Sequence, residues 1–184
     1  MADVLAAAFA DDPVFLHLLP AGIRRRSQRI HRLFDLELRH GLRSGGGWIS
    51  ADGDGVALWY PPGLWETPTW QGMLHLPVSI ATMGSHLSVA MRTMTLMQAH
   101  HPREPHWYLL CLGTEPARQS RGIGSAVLRP MLATCDAQRL PAYLEASSER
   151  NRALYLRHGF QDSGEPLQLP DDGPLMYPMW REPH

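Results

Sequence analysis

The residues best placed for chemistry are Gln119-Ser120-Arg121-Gly122-Ile123-Gly124-Ser125, where an apolar strand gives way to an amphipathic helix. A helix start leaves its first N–H groups without partners, and the aligned peptide dipoles put about half a positive charge there. Gly122 and Gly124 carry no Cβ, so a bulky anion can approach the loop N–H groups, and Arg121 adds a fixed positive charge. The same two glycines would also serve a tightly packed turn with no ligand. Downstream, Asn151 and Tyr155 are i and i+4 and share one helix face, and Glu145 lies in a short apolar strand.

Two phosphate loops are excluded. The chain has no lysine, so a P-loop is ruled out, and Val127 stands where the dinucleotide fingerprint requires a third glycine or alanine.

Gln-x-x-Gly-x-Gly between strand and helix resembles the acetyl-CoA pyrophosphate loop of the GNAT superfamily of N-acetyltransferases. The resemblance extends to Pro141–Ser147 and to Arg150–Phe160, which ends in that family's Tyr-x-x-x-Gly-Phe pattern. Within the superfamily the sequence most resembles the puromycin N-acetyltransferases, over Ala6–Pro13, Pro102–Trp107, and Glu145-Ala146-Ser147 with Arg150-Asn151. It departs from them at Asp12, where they carry a tyrosine. It also has Ser148 where many members have a CoA-contacting asparagine.

The resemblance implies a GNAT fold of α/β (α+β) class: a twisted, mixed, mostly antiparallel sheet of about six strands flanked by helices, in one domain over residues 1–184. It implies acetyl-CoA as cofactor. The pantetheine arm would lie along Cys111, Leu112, Gly113 and Thr114, and the pyrophosphate over Gln119 to Ser125, with Ile123 among them and Asn151 and Tyr155 facing the cofactor. A backbone N–H near Leu112 is the natural donor to the carbonyl oxygen under attack. Tyr155 is the general acid for the leaving thiolate, or a core tyrosine against Gly159-Phe160. Glu145 takes the amine's proton, or is only the partner of Arg150 or Arg152.

The implied reaction is acetyl transfer to a primary amine of a small molecule by direct attack on the thioester. The alternatives are a protein lysine or N-terminal acetyltransferase and, in another class, an acyl-CoA-binding sensor without turnover. A deep apolar pocket built from residues 65–100 would favour the small amine, and an open acidic groove a protein.

The positioning elements follow from periodicity. Trp107 to Leu112 is an apolar run of strand length, and Ile123, Val127, Met131 and Leu132 recur at helical spacing. Ala142 to Ala146 is a strand. Glu149 to His158 is a helix capped by Ser147 or Ser148 and stopped by Gly159. Upstream, Val4, Leu5, Ala8 and Phe9 mark a short first helix and Ile23 to Leu42 a second, whose five arginines near its start form a solvated face or a binding patch. Trp48–Ala51 and Val56–Tyr60 flank Asp52-Gly53-Asp54-Gly55, a hairpin signal.

Two irregular helices are expected at about 70–76 and 79–99, forming an acceptor-side segment at about 65–105. Residues 161–174 read as loop, and Leu175–Trp180 as a last strand in which Pro178 requires an edge or a bulge. Many family members open with a strand that has no counterpart here, so the sheet lacks it or the protein begins upstream. An exposed edge would then favour a homodimer over a monomer.

The 184 residues suit one domain that buries more than about two thirds of its unfolded surface. A net charge of −1 gives no field toward nucleic acid or anionic membrane. No run approaches a membrane span and no signal segment is present, so a cytoplasmic protein is expected. Cys111 and Cys135 read as free buried thiols, and no metal spacing joins them to the ten histidines, of which His100 and His101 are adjacent.

Overall fold

The structure is a computed structural model describing residues 1–44, 46–65 and 77–184. Among the described residues its frame is a seven-stranded sheet in the order β1 (Gly47–Ile49), β2 (Gly55–Tyr60), β3 (Trp107–Thr114), β4 (Ala142–Ala146), β7 (Leu175–Arg181), β5 (Gln161–Asp162), with β6 (Leu167–Gln168) paired to β7. β1 (Gly47–Ile49) and β2 (Gly55–Tyr60) form the expected hairpin, and β2 pairs antiparallel with β3 (Trp107–Thr114). β4 (Ala142–Ala146) is parallel to β3 but meets it only at Trp107↔Ala142 and Tyr108↔Tyr143. β4 then pairs along its whole length with β7 (Leu175–Arg181).

Helices cover both faces. On one face, α6 (Ile123–Gln138) and α7 (Glu149–Leu156) enclose Ala57, Trp59, Leu109 and Leu144. On the other, α1 (Ala2–Ala8) and α3 (Arg26–Gly41) pack on Val56, Leu58 and Cys111. The alternation along β2 is the period of two that a sheet imposes. β3 breaks it: Leu58 faces Cys111 and Trp59 faces Leu109, so Leu110 is an extra residue. This bulge turns Leu110 and Cys111 to the same side. Gly46 is fixed by crowding, because a Cβ there would lie 1.7 Å from the Trp59 carbonyl oxygen.

Several expectations need correction. A further helix, α2 (Pro13–Leu18), follows α1, capped by Asp12 with Pro13 in its first turn. The helical stretch near 79–99 is broken at Gly84: residues 77–83 (α4) and α5 (Leu87–His100) flank a short 3-10 turn. The helix expected at 70–76 lies outside the described residues. The arginine run is partly structural, since Arg26 donates to the Leu19 and Ala10 carbonyls and Arg29 to that of Thr82.

Residues 161–168 contribute β5 (Gln161–Asp162) and β6 (Leu167–Gln168), each too short to show a period. β7 is an interior strand rather than an edge. Pro178 fits because its carbonyl accepts from Ser163 N, so the nitrogen on that side of the strand faces the gap where β5 has ended.

Ser148 is the N-cap of α7, its hydroxyl accepting from Asn151 N at 3.3 Å. Ser148→Ala should cost about 1 kcal/mol and lower Tm by roughly 2–4 °C in a thermal melt.

Candidate active site

β3 and β4 part company after two residue pairs, and the site is built in the gap. Among the described residues, the β4-facing edge of β3 past Tyr108 has no strand partner, and neither does β4 past Tyr143 on the facing side. Cys111 and Leu112 line the gap from β3; Leu144 and Glu145 line it from β4. Gly113 lies beneath α1, where a Cβ would sit 2.9 Å from Ala8 and Leu5, and Thr114 ends the strand.

The loop then turns into α6. Ser120 takes a left-handed φ of 62°, and Gly122, at φ 83°, is the N-cap. A Cβ on Gly122 would meet nothing within 4 Å, so this glycine is required by its backbone angle, with open space before it. Gln119 braces the loop by donating to the Thr114 carbonyl at 3.4 Å, and Arg121 is exposed. Ile123 packs its side chain against Gly55 of β2, leaving only its backbone toward the loop mouth. Gly124 faces Leu154 and Leu112 at ordinary contact distance. The Ser125 hydroxyl is 2.8 Å from His158 Nε2, and burial holds that imidazole below its usual pKa.

Asn151 and Tyr155 line the same gap from α7. Asn151 Nδ2 donates to Ser147 Oγ at 3.0 Å, and Ser147 donates in turn to Asp12. Tyr155 packs edge-on against Phe160 and is 7 % exposed, its phenol pushed well above its ordinary pKa by burial and then by Cys111 and Asp12. It is thus both a core residue and a wall of the gap.

Glu145 does not pair with Arg150 or Arg152. Arg152 is engaged by Asp162 and Glu149 on the outside of α7. Glu145 points the other way, its side chain 2 % exposed, accepting from Tyr108 Oη at 2.9 Å, with His101 Nδ1 at 3.8 Å from its other oxygen.

From this gap opens a cavity of about 330 Å³. Its walls are mainly apolar: Phe9, Phe15 and Phe34 form one aromatic cluster, and Met83, Met94 and Met97 face it. These three methionines belong to the 65–100 segment from which an apolar acceptor pocket is expected.

The Acetyltransferase (GNAT) family profile matches residues 84–160, from the 3-10 turn before α5 to the end of α7. An uncharacterised N-acetyltransferase of Schizosaccharomyces pombe is 27 % identical over 172 residues, covering 86 % of this chain and 68 % of that one. A crystal structure from Corynebacterium glutamicum, described as histone acetyltransferase HPA2 and related acetyltransferase, superposes with TM-score 0.72. It is 30 % identical, covering all of this chain and 89 % of the other. The chain belongs to the GNAT acetyltransferase family. The fold alone is shared more widely, as with arylalkylamine N-acetyltransferase 2 of Aedes aegypti: TM-score 0.65, 12 % identity, 99 % and 94 % coverage.

This GNAT enzyme is thus an acyltransferase, and its cavity opens onto the gap between β3 and β4. Among the described residues no helix is long and apolar enough to cross a membrane. Sequence reasoning missed Tyr108 and His101 as partners of Glu145. Tyr108 carries a signal, since it is the last β3 residue paired to β4 and so sits at the fork.

Asp12 is 8 % exposed, and desolvation raises its carboxyl pKa despite the cap bonds to Val14 and Phe15. A folded-state pKa above the unfolded value of about 3.9 means the protonated form is favoured by folding. That contribution is complete below about pH 3.9 and is lost as pH rises through the folded value. Asp12→Asn keeps an oxygen for the cap and removes the buried charge. Its Tm should exceed wild type by a few degrees at neutral pH, with the difference shrinking toward acid; the measurement is melts from pH 3.5 to 7.5.

Proposed function

We propose that this GNAT enzyme acetylates the primary amine of a small molecule with an apolar or aromatic body, using acetyl-CoA. The observation that carries the reading is the 330 Å³ cavity, walled by Phe and Met side chains and ending on the Glu145 carboxylate. An apolar pocket suits one amine on a greasy group, and the buried acids on its wall, Glu145 together with Asp12 and Glu37, favour a cationic end. A protein acceptor would call instead for an open acidic groove. Asp12 on the cavity wall is committed to capping α2 and to Ser147.

The residues present fit CoA. The free edge of β3 over Cys111–Thr114 offers backbone partners to the pantetheine amides. The loop Gln119–Ser125 offers N–H groups of the α6 N-terminus, Arg121 and the space before Gly122 to the pyrophosphate. When bound, acetyl-CoA supplies a thioester carbonyl open to attack by an amine. Tyr155 Oη, kept protonated by burial, holds the proton a leaving sulfur requires. Glu145, buried beside the fork, is the acceptor for the amine's proton.

Calorimetric titration of acetyl-CoA and CoA tests the first half. Thiol release with phenethylamine, tryptamine, puromycin, spermidine and an N-terminal peptide tests the second. Micromolar CoA binding with turnover on the aromatic amines is expected. Turnover on the peptide alone would overturn the small-amine reading, and no CoA binding would overturn the loop assignment as well.

A further inference from the structure

Behind Glu145 lies a line of hydrogen-bonding groups that the residues named so far leave unused. His101 Nδ1 stands 3.8 Å from Glu145 Oε1, His101 Nε2 is 3.0 Å from His106 Nε2, and His106 Nδ1 is 2.6 Å from the Glu104 carbonyl oxygen. All three side chains are buried: His101 and Glu145 at 3 % and 2 % side-chain exposure, and His106 at 2 %. Trp65 stacks on His101 at 3.6 Å between centroids, and Tyr108 and Tyr143 meet the ring edge-on. The rings therefore have little freedom to turn.

The protons can be counted from the far end. A carbonyl only accepts, so His106 Nδ1 carries hydrogen. Burial disfavours a charged His106, so its Nε2 is bare and must accept from His101 Nε2–H. That fixes the His101 tautomer and leaves Nδ1 facing Glu145 Oε1. Oε2 is already held by Tyr108, while Oε1 makes no hydrogen bond of ordinary geometry among the described residues, with the Tyr143 phenol beside the same carboxylate. At 3.8 Å the two facing atoms are too far apart for a direct hydrogen bond, yet close enough to share the charge of one proton.

We infer that His101 and Glu145 together accept the proton of the substrate amine, with His106 as the positioning residue that fixes the imidazole's tautomer. The inference rests on the acetyl-transfer reading above. The ammonium gives up one N–H proton, whose positive charge passes to the His101–Glu145 pair. The freed lone pair forms the C–N bond as the C–S bond breaks, and the sulfur takes its proton from Tyr155. The second proton shed by nitrogen restores Tyr155, and the pair returns its own to water when product leaves. The charged and titratable groups facing the pair are His106, from the segment leading into β3, with Glu104 beside it, then Tyr108 of β3 and Tyr143 of β4.

Long-range 1H–15N correlation spectra of the wild-type protein, with His101→Gln and His106→Gln used for assignment, test the proton count without turnover. His106 is expected protonated at Nδ1 and bare at Nε2, with His101 protonated at Nε2. A His106 ring protonated at Nε2 and bare at Nδ1 would overturn the inference. Glu145→Gln should shift the His101 Nδ1 resonance, and an unmoved resonance would break the pair.

Kinetics with the best amine of the panel then test the role. His101→Gln should lower kcat/KM about tenfold and displace the acidic limb of its pH profile. His106→Gln, whose amide oxygen can still accept from His101, should keep the wild-type limb. If His101→Gln lowers activity without moving the limb, His101 is purely structural and the role is overturned. Wild type that turns over no amine while showing the expected tautomers would strike the acetyl-transfer reading and leave the proton count standing.

Discussion

Gly124→Glu should weaken CoA binding by about 10²- to 10³-fold, while Gly124→Ala should bind almost as wild type. Gly124 sits in the first turn of α6, beside the open space before Gly122. A Cβ there meets Leu154 at 3.4 Å and Leu112 at 3.5 Å, so alanine fits with slight adjustment. Alanine should even firm the helix by up to about 1 kcal/mol. Glutamate keeps the same stem and adds a carboxylate at the helix mouth. One charge about 5 Å from a phosphate costs roughly 3 kcal/mol at the effective dielectric of a protein surface, and rather less in salt. The pair of variants separates charge from size: titration calorimetry should show the loss in glutamate alone, easing as ionic strength rises. Equal affinity in all three proteins would mean the pyrophosphate is not held here.

Why this loop was readable from sequence, and other parts of the site were not, follows from the range of the interactions that make them. The strand, the glycine cap and the α6 stripe are local: Trp107–Thr114, Gly122 and the recurrence of Val127, Met131 and Leu132 declare themselves within one window. The same holds for Ser148, whose cap is three residues long.

The bulge at Leu110 is different, because a period of two along β3 would put Cys111 on the same face as Leu109. Only the register against β2 shows that it turns to α1 and α3. The partners of Glu145 were misjudged for a related reason. Arg150 and Arg152 are near in sequence, but Arg150 is exposed and Arg152 leaves on the outer side of α7, whereas His101 and Tyr108 arrive from another strand and the helix before it. An adjacent His100-His101 pair is uninformative in one dimension. In three, His100 caps its own helix by contacting the Leu96 carbonyl, and His101 turns inward to the fork.

Tyr155→Phe should lower kcat by on the order of 10²-fold at neutral pH and leave CoA affinity and the amine KM little changed. The ring packs on Phe160 and lines the gap, and phenylalanine preserves both contacts, so Tm should hold. What disappears is one proton at Oη. Burial, Cys111 and Asp12 all raise the phenol's pKa, so in wild type this group remains a donor through neutral and mildly alkaline pH. It should therefore contribute no basic limb to kcat below about pH 10.

The loss in the variant should itself depend on pH. A thiol like that of cysteine titrates near 8.5, and above that pH the leaving sulfur no longer has to be protonated. The ratio of wild-type to variant kcat should consequently narrow between pH 7 and pH 9.5. A constant ratio would move Tyr155 from proton donor to a positioning role, and an unchanged kcat would remove it from the chemistry.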